Sequence, residues 1–179
     1  FAWSRANPIG TFKVFRQYHG VLPLLAVFFV YLFGSAVYPA IWPFWGIAKF
    51  GWSELVIGLT LAAFGVVTAV FQGGLTGPAV KLFGESMVAV IGLVSAVVAA
   101  VGYGLAPNLI AVVVFFVVHG PEGFVYPMLS AMMSKAVPED AQGELQGGIS
   151  SAMSIAMLLG TVFFAQVFAV FMAPGTAAQ

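Results

Sequence analysis

The sequence contains no cysteine and very few charged residues, and each shortage excludes a class of protein. Without cysteine there are no disulfide bonds, no thiolate metal sites and no cysteine nucleophile. Charged residues make up only 7% of the 179 positions, whereas a soluble domain carries about a quarter. Hydrophobic residues make up 61%, so the composition predicts a membrane protein. The 6 basic residues balance the 6 acidic ones, which gives no indication of nucleic-acid binding.

Motifs of catalysis are also absent from the sequence. It has no nucleotide-binding glycine loop, no cluster of metal-ligating residue types, and no serine placed with a histidine and an acid. We therefore predict that the protein is not an enzyme and needs neither a metal ion nor a cofactor.

Five apolar runs are long enough to cross a membrane, because about 20 helical residues span about 30 Å of hydrocarbon. The runs cover residues 21–43, 55–78, 87–106, 109–133 and 145–172. They are too long and too rich in glycine for the strands of a membrane barrel, and the short connections make successive helices antiparallel neighbours. The sequence therefore predicts an all-α, polytopic membrane helix bundle.

The basic residues predict the orientation of the bundle, since short cytoplasmic loops are enriched in lysine and arginine. With a cytoplasmic N-terminus, the outside holds only Lys49, and the inside holds Arg5, Lys13, Arg16, Lys81 and Lys135. Residues 1–20 then form a cytoplasmic lead-in, either interfacial or solvated, and residues 173–179 form an extracytoplasmic tail. The odd number of crossings, with a first residue other than methionine, indicates a piece of a longer protein with one further helix.

Polar side chains recur at helical spacing on four of the five predicted helices, and they indicate which faces avoid lipid. These stripes are Tyr31, Ser35, Tyr38 and Trp42; Thr68, Gln72 and Thr76; His119, Glu122, Tyr126 and Ser130; and Ser150, Ser154 and Thr161. We predict that the four helices share a hydrated cavity lined by Gln72, Thr68, Tyr31, Tyr38, Trp42, Tyr126 and Ser154. In the alternative, the hydroxyl groups bond to carbonyl groups of their own helices, and the amide of Gln72 ties two helices together.

The third predicted helix carries small residues instead of a polar stripe. Its ridge consists of Gly92, Ala96, Ala100 and Gly104. Such a ridge permits close backbone approach and needs no water. We therefore expect the third helix to pack outside the cavity.

Glu122 needs a particular explanation, because it lies near the middle of the fourth predicted helix. An ionised carboxylate at that depth costs on the order of 2.5 to 3.5 kcal/mol, so such residues generally face a cavity and serve function. His119 lies three residues earlier on the same face, and Pro121, between Gly120 and Gly123, loosens the helix there. We predict a pair that exchanges protons. The alternatives are a permanently protonated Glu122 that bonds a carbonyl freed by Pro121, and a His119 that ligates a haem or chlorophyll-type pigment.

Four motifs carry a family resemblance, and in chain order they are NPIGTFKVFR, IGLTLAAFG, TGPAVKLFGES and AMMSKAVPEDAQGELQGGISS. Together they resemble the C-terminal half of tetracycline-efflux-type transporters of the major facilitator superfamily. The resemblance runs from Asn7 to Met172, and the last motif is its most specific part. In the third motif, Gly77, Lys81 and Gly84 follow the frame of the superfamily's loop signature, either as a gating loop or as a simple tight turn.

This resemblance implies an architecture and a function. The five helices would be the seventh to the eleventh of the twelve-helix major facilitator fold, with the ninth outside the central cavity. The protein would be a proton-coupled efflux transporter, an antiporter, in a bacterial inner membrane. The pair of Glu122 and His119, predicted above from its place in the fourth helix and not from the resemblance, would couple the transport to protons. The protein's partners would be the lipid bilayer, a small amphiphilic substrate, and a missing N-terminal half or another membrane protein complex.

The sequence departs from the resembled family at the site. Ala96 falls where tetracycline pumps carry a membrane acid, and Thr68 falls where some members carry a histidine. Conversely, His119 and Glu122 stand where these pumps have small or neutral residues. The departures argue against tetracycline as the substrate. They also leave open a second function, a non-transporting half-transporter retained as a structural subunit of a larger membrane complex.

Overall fold

A computed structural model describes residues 15–172 of the chain. These residues contain five long helices, and the ranges of α1 to α5 are, in chain order, Val21–Phe50, Glu54–Phe83, Glu85–Leu105, Leu109–Lys135 and Glu139–Met172. Each is long and apolar enough to cross a membrane. No strand occurs between residues 15 and 172, and the predicted all-α, polytopic fold class is confirmed. The predicted tail at 173–179 and most of the lead-in at 1–20 lie outside the described residues.

Each helix extends beyond its predicted membrane span at one end or both, and three of the four connections are shorter than the apolar runs indicate. The connection between α3 and α4 is the exception, because α3 ends one residue early, at Leu105. α1 ends where Gly51 turns the backbone with a φ of +67°. α2 begins after Ser53, whose hydroxyl oxygen accepts from the N–H of Val56 at 3.5 Å. Asn108 caps α4 in the same way, with 3.0 Å to the nitrogen of Ala111. Apolar composition marks where a helix meets lipid, whereas capping residues mark where its backbone hydrogen bonding stops.

The predicted loop motif forms a turn at only one of its two glycines. Gly84 has a φ of +77° and joins α2 to α3, a conformation that glycine adopts without steric cost. Gly77 and Lys81 lie within the last helical segment of α2, Thr76–Phe83. The predicted turn at Gly77 is therefore wrong. Glycine permits a turn but does not impose one, and here the helical backbone hydrogen bonds hold it.

Three helices depart from regular α-helical hydrogen bonding within their length. In α1 the departure is a break at Ala36, between Val21–Ser35 and Val37–Phe50. In α2, Val70–Leu75 form a π-helical turn, and the hydroxyl group of Thr76 donates to the carbonyl oxygens of Phe71 at 3.2 Å and Gln72 at 2.7 Å. In α4, Gly120–Phe124 form a 3₁₀ segment, because the proline at its second position has no N–H to donate to the preceding turn. Irregular turns inside longer helices often occur at functional sites.

The described residues divide into two compact units, one made of the chain up to Trp42 and from Ser130 onward, and the other of Pro43–Leu129. In the first unit α1 packs against α5 at Gly160. A Cβ added there would lie 2.5 Å from the carbonyl oxygen of Phe33. The glycine thus lets two backbones approach closely, as small residues do between membrane helices.

In the second unit α3 packs against α4 through a face that differs from the predicted ridge. Its buried residues include, at alternating steps of three and four, Gly92, Ser95, Ala99 and Gly102. Ala100 and Gly104, which the sequence assigns to the ridge, are exposed. A constant step of four drifts by about 40° per step around a helix of 3.6 residues per turn, so the predicted ridge leaves the interface after its first members.

Replacing Gly92 with alanine should weaken this interface. The added Cβ would lie 2.8 Å from the carbonyl oxygen of Pro121 and 2.6 Å from Cγ2 of Val125, and a backbone carbonyl cannot rotate away as a side chain can. We expect Gly92→Ala to destabilise the protein by about 1 to 2 kcal/mol, measured as a lower midpoint of unfolding in detergent. Gly104→Ala on the same helix is the control, because nothing lies within 4 Å of its Cβ position. An equal effect of the two variants would contradict this packing.

Candidate functional site

Glu122 and His119 lie at the middle of α4, where its 3₁₀ segment begins. Both are buried, with 6% of Glu122 and 1% of His119 exposed. An ion in such surroundings needs a partner, since removing it from water costs several kcal/mol. The two side chains are partners, because Nε2 of His119 contacts Oε2 of Glu122.

Tyr103 on α3 completes a row of three polar side chains. Its hydroxyl oxygen lies 3.1 Å from Nδ1 of His119, so the imidazole ring has a polar neighbour at each nitrogen. Tyr103 is itself only 5% exposed. A neutral imidazole donates through one nitrogen and accepts through the other. The hydrogen-bond roles of Tyr103 and Glu122 therefore depend on which nitrogen carries the hydrogen.

Aromatic rings surround this polar row. The ring of Phe64 on α2 lies 4.8 Å from the ring of His119 and 5.8 Å from that of Phe116. The ring of Tyr103 packs edge-on against Phe115 and Phe116, with centroid distances of 6.1 and 6.0 Å. Apolar rings lower the local dielectric constant, which strengthens the electrostatic interactions between the buried polar groups.

Two arrangements of the pair carry no net charge. In one, an imidazolium donates to a carboxylate, and in the other, a protonated carboxyl group donates to a neutral imidazole. They hold the same number of protons and differ in the position of one. Removing that proton leaves a single negative charge in low-dielectric surroundings. The arrangement is thus chemically able to bind and release one proton.

The pair is buried against α3, whereas the sequence predicts that it lines a hydrated cavity. It contacts Tyr103, which belongs to the helix that the sequence places outside the cavity. Tyr126, predicted to lie on the same face as the pair, is 38% exposed. The 3₁₀ segment explains the difference, because its residues three apart lie directly above one another. This geometry keeps Glu122 aligned with His119 and turns Tyr126 to another face.

Two further candidates, Thr68 and Gln72, lie on α2 against Gly123, the residue after Glu122. A Cβ added to Gly123 would lie 3.4 Å from Cγ2 of Thr68 and 3.6 Å from Cβ of Gln72. A Cβ added to Gly120 would overlap the ring of Phe71. The π-helical turn of α2 therefore packs directly against the 3₁₀ segment of α4, and the two glycines make this approach possible.

The remaining cavity candidates are divided between the two units. Tyr126 belongs to the second unit, and the first contains Tyr31, Tyr38, Trp42 and Ser154. The rings of Tyr38 and Trp42 pack edge to face at 6.3 Å. The hydroxyl group of Ser154 donates to the carbonyl oxygen of Ser150 at 3.0 Å, which is the alternative raised for such hydroxyl groups. A cavity lined jointly by these residues stays a prediction.

Sequence reasoning misses Tyr103 and Lys49 as parts of this site. Tyr103 is a polar residue on the third helix, and that signal is outweighed by the ridge of small residues. Lys49, predicted only as a boundary charge, donates from Nζ to the carbonyl oxygens of Gly104 at 2.6 Å and Tyr103 at 3.3 Å. Its Nζ also lies 5.5 Å from the ring centroids of Trp45 and Phe50. The ammonium group thus caps the C-terminal end of α3 and anchors the backbone of Tyr103.

Metal or pigment ligation finds no support in this geometry. Between residues 15 and 172, no group of three or more His, Cys, Asp and Glu side chains is arranged to hold a metal ion. Both ring nitrogens of His119 face protein atoms, Oε2 of Glu122 and the hydroxyl group of Tyr103. Neither nitrogen is placed to act as an axial ligand of a haem or chlorophyll-type pigment.

Comparison with known proteins places the chain among membrane transporters. The family model described as Major Facilitator Superfamily matches residues 24–176. The chain is 32% identical to the class C tetracycline resistance protein of Escherichia coli over 91% of its own length. It is 29% identical to the class G protein of Vibrio anguillarum over 92%. It spans 41% and 42% of the lengths of these two relatives. No solved structure matches it significantly.

The family match covers most of the chain, and the names of the relatives agree with the tetracycline-efflux type that the four motifs resemble. The resemblance predicted from those motifs is confirmed. Five apolar helices and this match together make the chain a multi-pass membrane protein, and it belongs to the major facilitator superfamily.

Proposed function

We propose that the chain is the C-terminal half of a proton-coupled transporter that exports small amphiphilic molecules. The observation that carries the proposal is the buried pair of Glu122 and His119 at the middle of α4. Placing a titratable residue inside the membrane costs free energy, and such residues generally serve the movement of ions or protons. Membership in the superfamily and relatives named for resistance to a small molecule support transport rather than enzymatic chemistry.

The pair binds a proton in one conformation of the transporter and releases it in another. Phe64 and Tyr103 cover the pair, so exchange with water requires a change in packing. The adjoining π-helical and 3₁₀ segments are suited to this change, because irregular turns are where transporter helices rearrange around their binding sites. Proton entry then drives the export of substrate.

The substrate class follows from the cavity candidates. One amide and several aromatic side chains are available for contact, namely Gln72, Tyr31, Tyr38, Trp42 and Tyr126. A mostly aromatic lining with few polar groups suits a flat amphiphilic molecule. Ala96 and Thr68 stand where the resembled tetracycline pumps carry an acid and a histidine, which favours an amphiphile other than tetracycline.

Transport by the full-length protein tests the proposal. The protein is reconstituted into liposomes, a pH gradient is imposed, and the uptake of tetracycline and of ethidium is measured as two flat amphiphilic probes. We expect accumulation of ethidium that requires the gradient and disappears with a protonophore. Uptake that continues unchanged after the gradient is collapsed would contradict proton coupling.

We further propose that the chain lies in the bacterial inner membrane with a cytoplasmic N-terminus. This chain has no cysteine, so an introduced cysteine is a unique label within it. Asp140 at the start of α5 and Glu54 at the start of α2 are both exposed. Asp140→Cys should react with an impermeant maleimide only from the cytoplasmic side, and Glu54→Cys only from the opposite side. The reverse labelling pattern would overturn the orientation.

A second candidate function is a non-transporting subunit of a larger membrane complex. The burial of the row formed by Tyr103, His119 and Glu122 favours it, because a sealed polar contact can hold α3 to α4 without any transport. This function predicts a membrane protein that co-purifies stably with the full-length chain and no uptake driven by a pH gradient. The exporter predicts gradient-driven uptake without such a partner.

A further inference from the structure

We propose that Tyr103 is a positioning residue for the proton-binding pair, and that its hydroxyl group changes from donor to acceptor when the pair gains a proton. The proposal rests on proton binding by Glu122 and His119, as proposed above. Its geometric basis is the distance of 3.1 Å between the Tyr103 hydroxyl oxygen and Nδ1 of His119, together with the contact of Nε2 with Oε2 of Glu122.

In the deprotonated pair, the carboxylate of Glu122 can only accept hydrogen bonds. Nε2 of His119 therefore carries the ring hydrogen and donates it to Oε2. A neutral imidazole then has a lone pair on Nδ1, to which the hydroxyl group of Tyr103 donates. Tyr103 thus holds the ring in the tautomer that directs an N–H at the carboxylate, as the partner of the second nitrogen does in other histidine sites.

Adding one proton reverses the hydrogen bond between Tyr103 and Nδ1 of His119. If the proton stays on the imidazole, both ring nitrogens of His119 carry hydrogens. If it reaches Nδ1 while the hydrogen on Nε2 passes to Oε2 of Glu122, the carboxyl group donates to Nε2. In both cases Nδ1 donates and the oxygen of Tyr103 accepts. One proton enters, no bond between heavy atoms changes, and the hydroxyl hydrogen of Tyr103 rotates away from Nδ1 of His119.

The surroundings of Tyr103 favour rotation of the hydroxyl group over movement of the ring. The ring packs edge-on against Phe115 and Phe116, and Nζ of Lys49 holds the backbone carbonyl at 3.3 Å. Of the elements packed against the pair, α3 presents Tyr103 and α2 presents Phe64, which does not titrate. The ammonium group of Lys49, at the end of α1, donates to the backbone carbonyl oxygen of Tyr103. A proton gained by the pair on α4 therefore changes the direction of the hydrogen bond made by Tyr103 on α3.

Infrared difference spectroscopy on the full-length protein in liposomes tests this reversal. Isotope-labelled tyrosine marks the phenol C–O vibration, whose frequency depends on whether the hydroxyl group donates or accepts. We expect the band of one tyrosine to move from its donor to its acceptor position at the same pH midpoint at which the carbonyl band of a protonated carboxyl group, or the ring band of an imidazolium, appears. Glu122→Gln should remove this movement, and Tyr103→Phe should remove the band itself. Tyr18→Phe, which deletes a phenolic hydroxyl group outside the site, should leave both intact.

The contrary results are equally specific. A tyrosine band that stays fixed while the pair titrates would overturn the proposal, since the proton would then sit on Oε1 and leave Nδ1 an acceptor. A band that still moves in Tyr103→Phe would assign it to another tyrosine and also overturn it. If the tyrosine band moves with the pair but the protein shows no gradient-driven transport, the hydrogen-bond reversal is supported and the exporter is rejected. If the protein transports but the tyrosine band stays fixed, the exporter is supported and the reversal is rejected. A pair that does not titrate would reject the reversal and the exporter.

Discussion

Glu122→Gln is expected to reduce uptake driven by a pH gradient to the level of empty liposomes, while the protein still folds and inserts. Glutamine has nearly the same shape as a protonated glutamate and keeps a polar contact with Nε2 of His119, but it binds and releases no proton. The change replaces a titratable group by a permanently neutral one in buried surroundings. Uptake by reconstituted full-length protein is the measurement, and the unfolding midpoint in detergent shows that the variant is folded.

Glu54→Gln is the matched control for this result. Glu54 lies exposed in the first turn of α2, so the same substitution removes a carboxylate outside the buried row and should leave uptake unchanged. Full uptake by Glu122→Gln would exclude the pair from coupling and leave the polar contact of a structural subunit as its role. Loss of uptake in both variants would point to a general effect of charge removal.

The number of helices could be predicted from the sequence because it depends on properties of single residues. Crossing lipid requires about 20 apolar residues in succession. The described residues contain five such stretches, and few charged residues interrupt them. The ends of the helices depend on local geometry instead. Gly51 and Gly84 end helices with positive φ, while Gly77 stays helical, and nothing in their identity distinguishes the three.

The direction in which Glu122 points could not be predicted, because it depends on a change of helical phase. Counting at a constant period places Glu122, Tyr126 and the residues beyond on one face. The 3₁₀ segment Gly120–Phe124 winds more tightly than the rest of α4, and the stripe separates there into buried and exposed members. The partner Tyr103 lies on another helix, and in a membrane, apolar composition does not tell which helix faces which.

Gly160→Ala is expected to lower the stability of the protein more than any other glycine-to-alanine substitution in the first unit. The added Cβ would lie 2.5 Å from the carbonyl oxygen of Phe33 and 2.6 Å from Cβ of Ala36. Neither atom can move by rotating a side chain, so α1 and α5 must separate, which also loosens the contacts of Phe33 with Phe163 at 5.5 Å. Overpacking of this kind costs typically 1 to 3 kcal/mol, and we expect about 3 kcal/mol here. The measurement is the unfolding midpoint of the full-length protein in detergent.

Gly147→Ala on the same helix separates packing from helix propensity. Nothing lies within 4 Å of its Cβ position, and alanine favours a helix over glycine by about 1 kcal/mol, so this variant should be neutral or slightly more stable. The same substitution in the same helix thus has opposite expected signs at Gly160 and Gly147. If both variants lose stability equally, the loss comes from the helix itself, and the close approach of α1 at Gly160 is not what holds the first unit together.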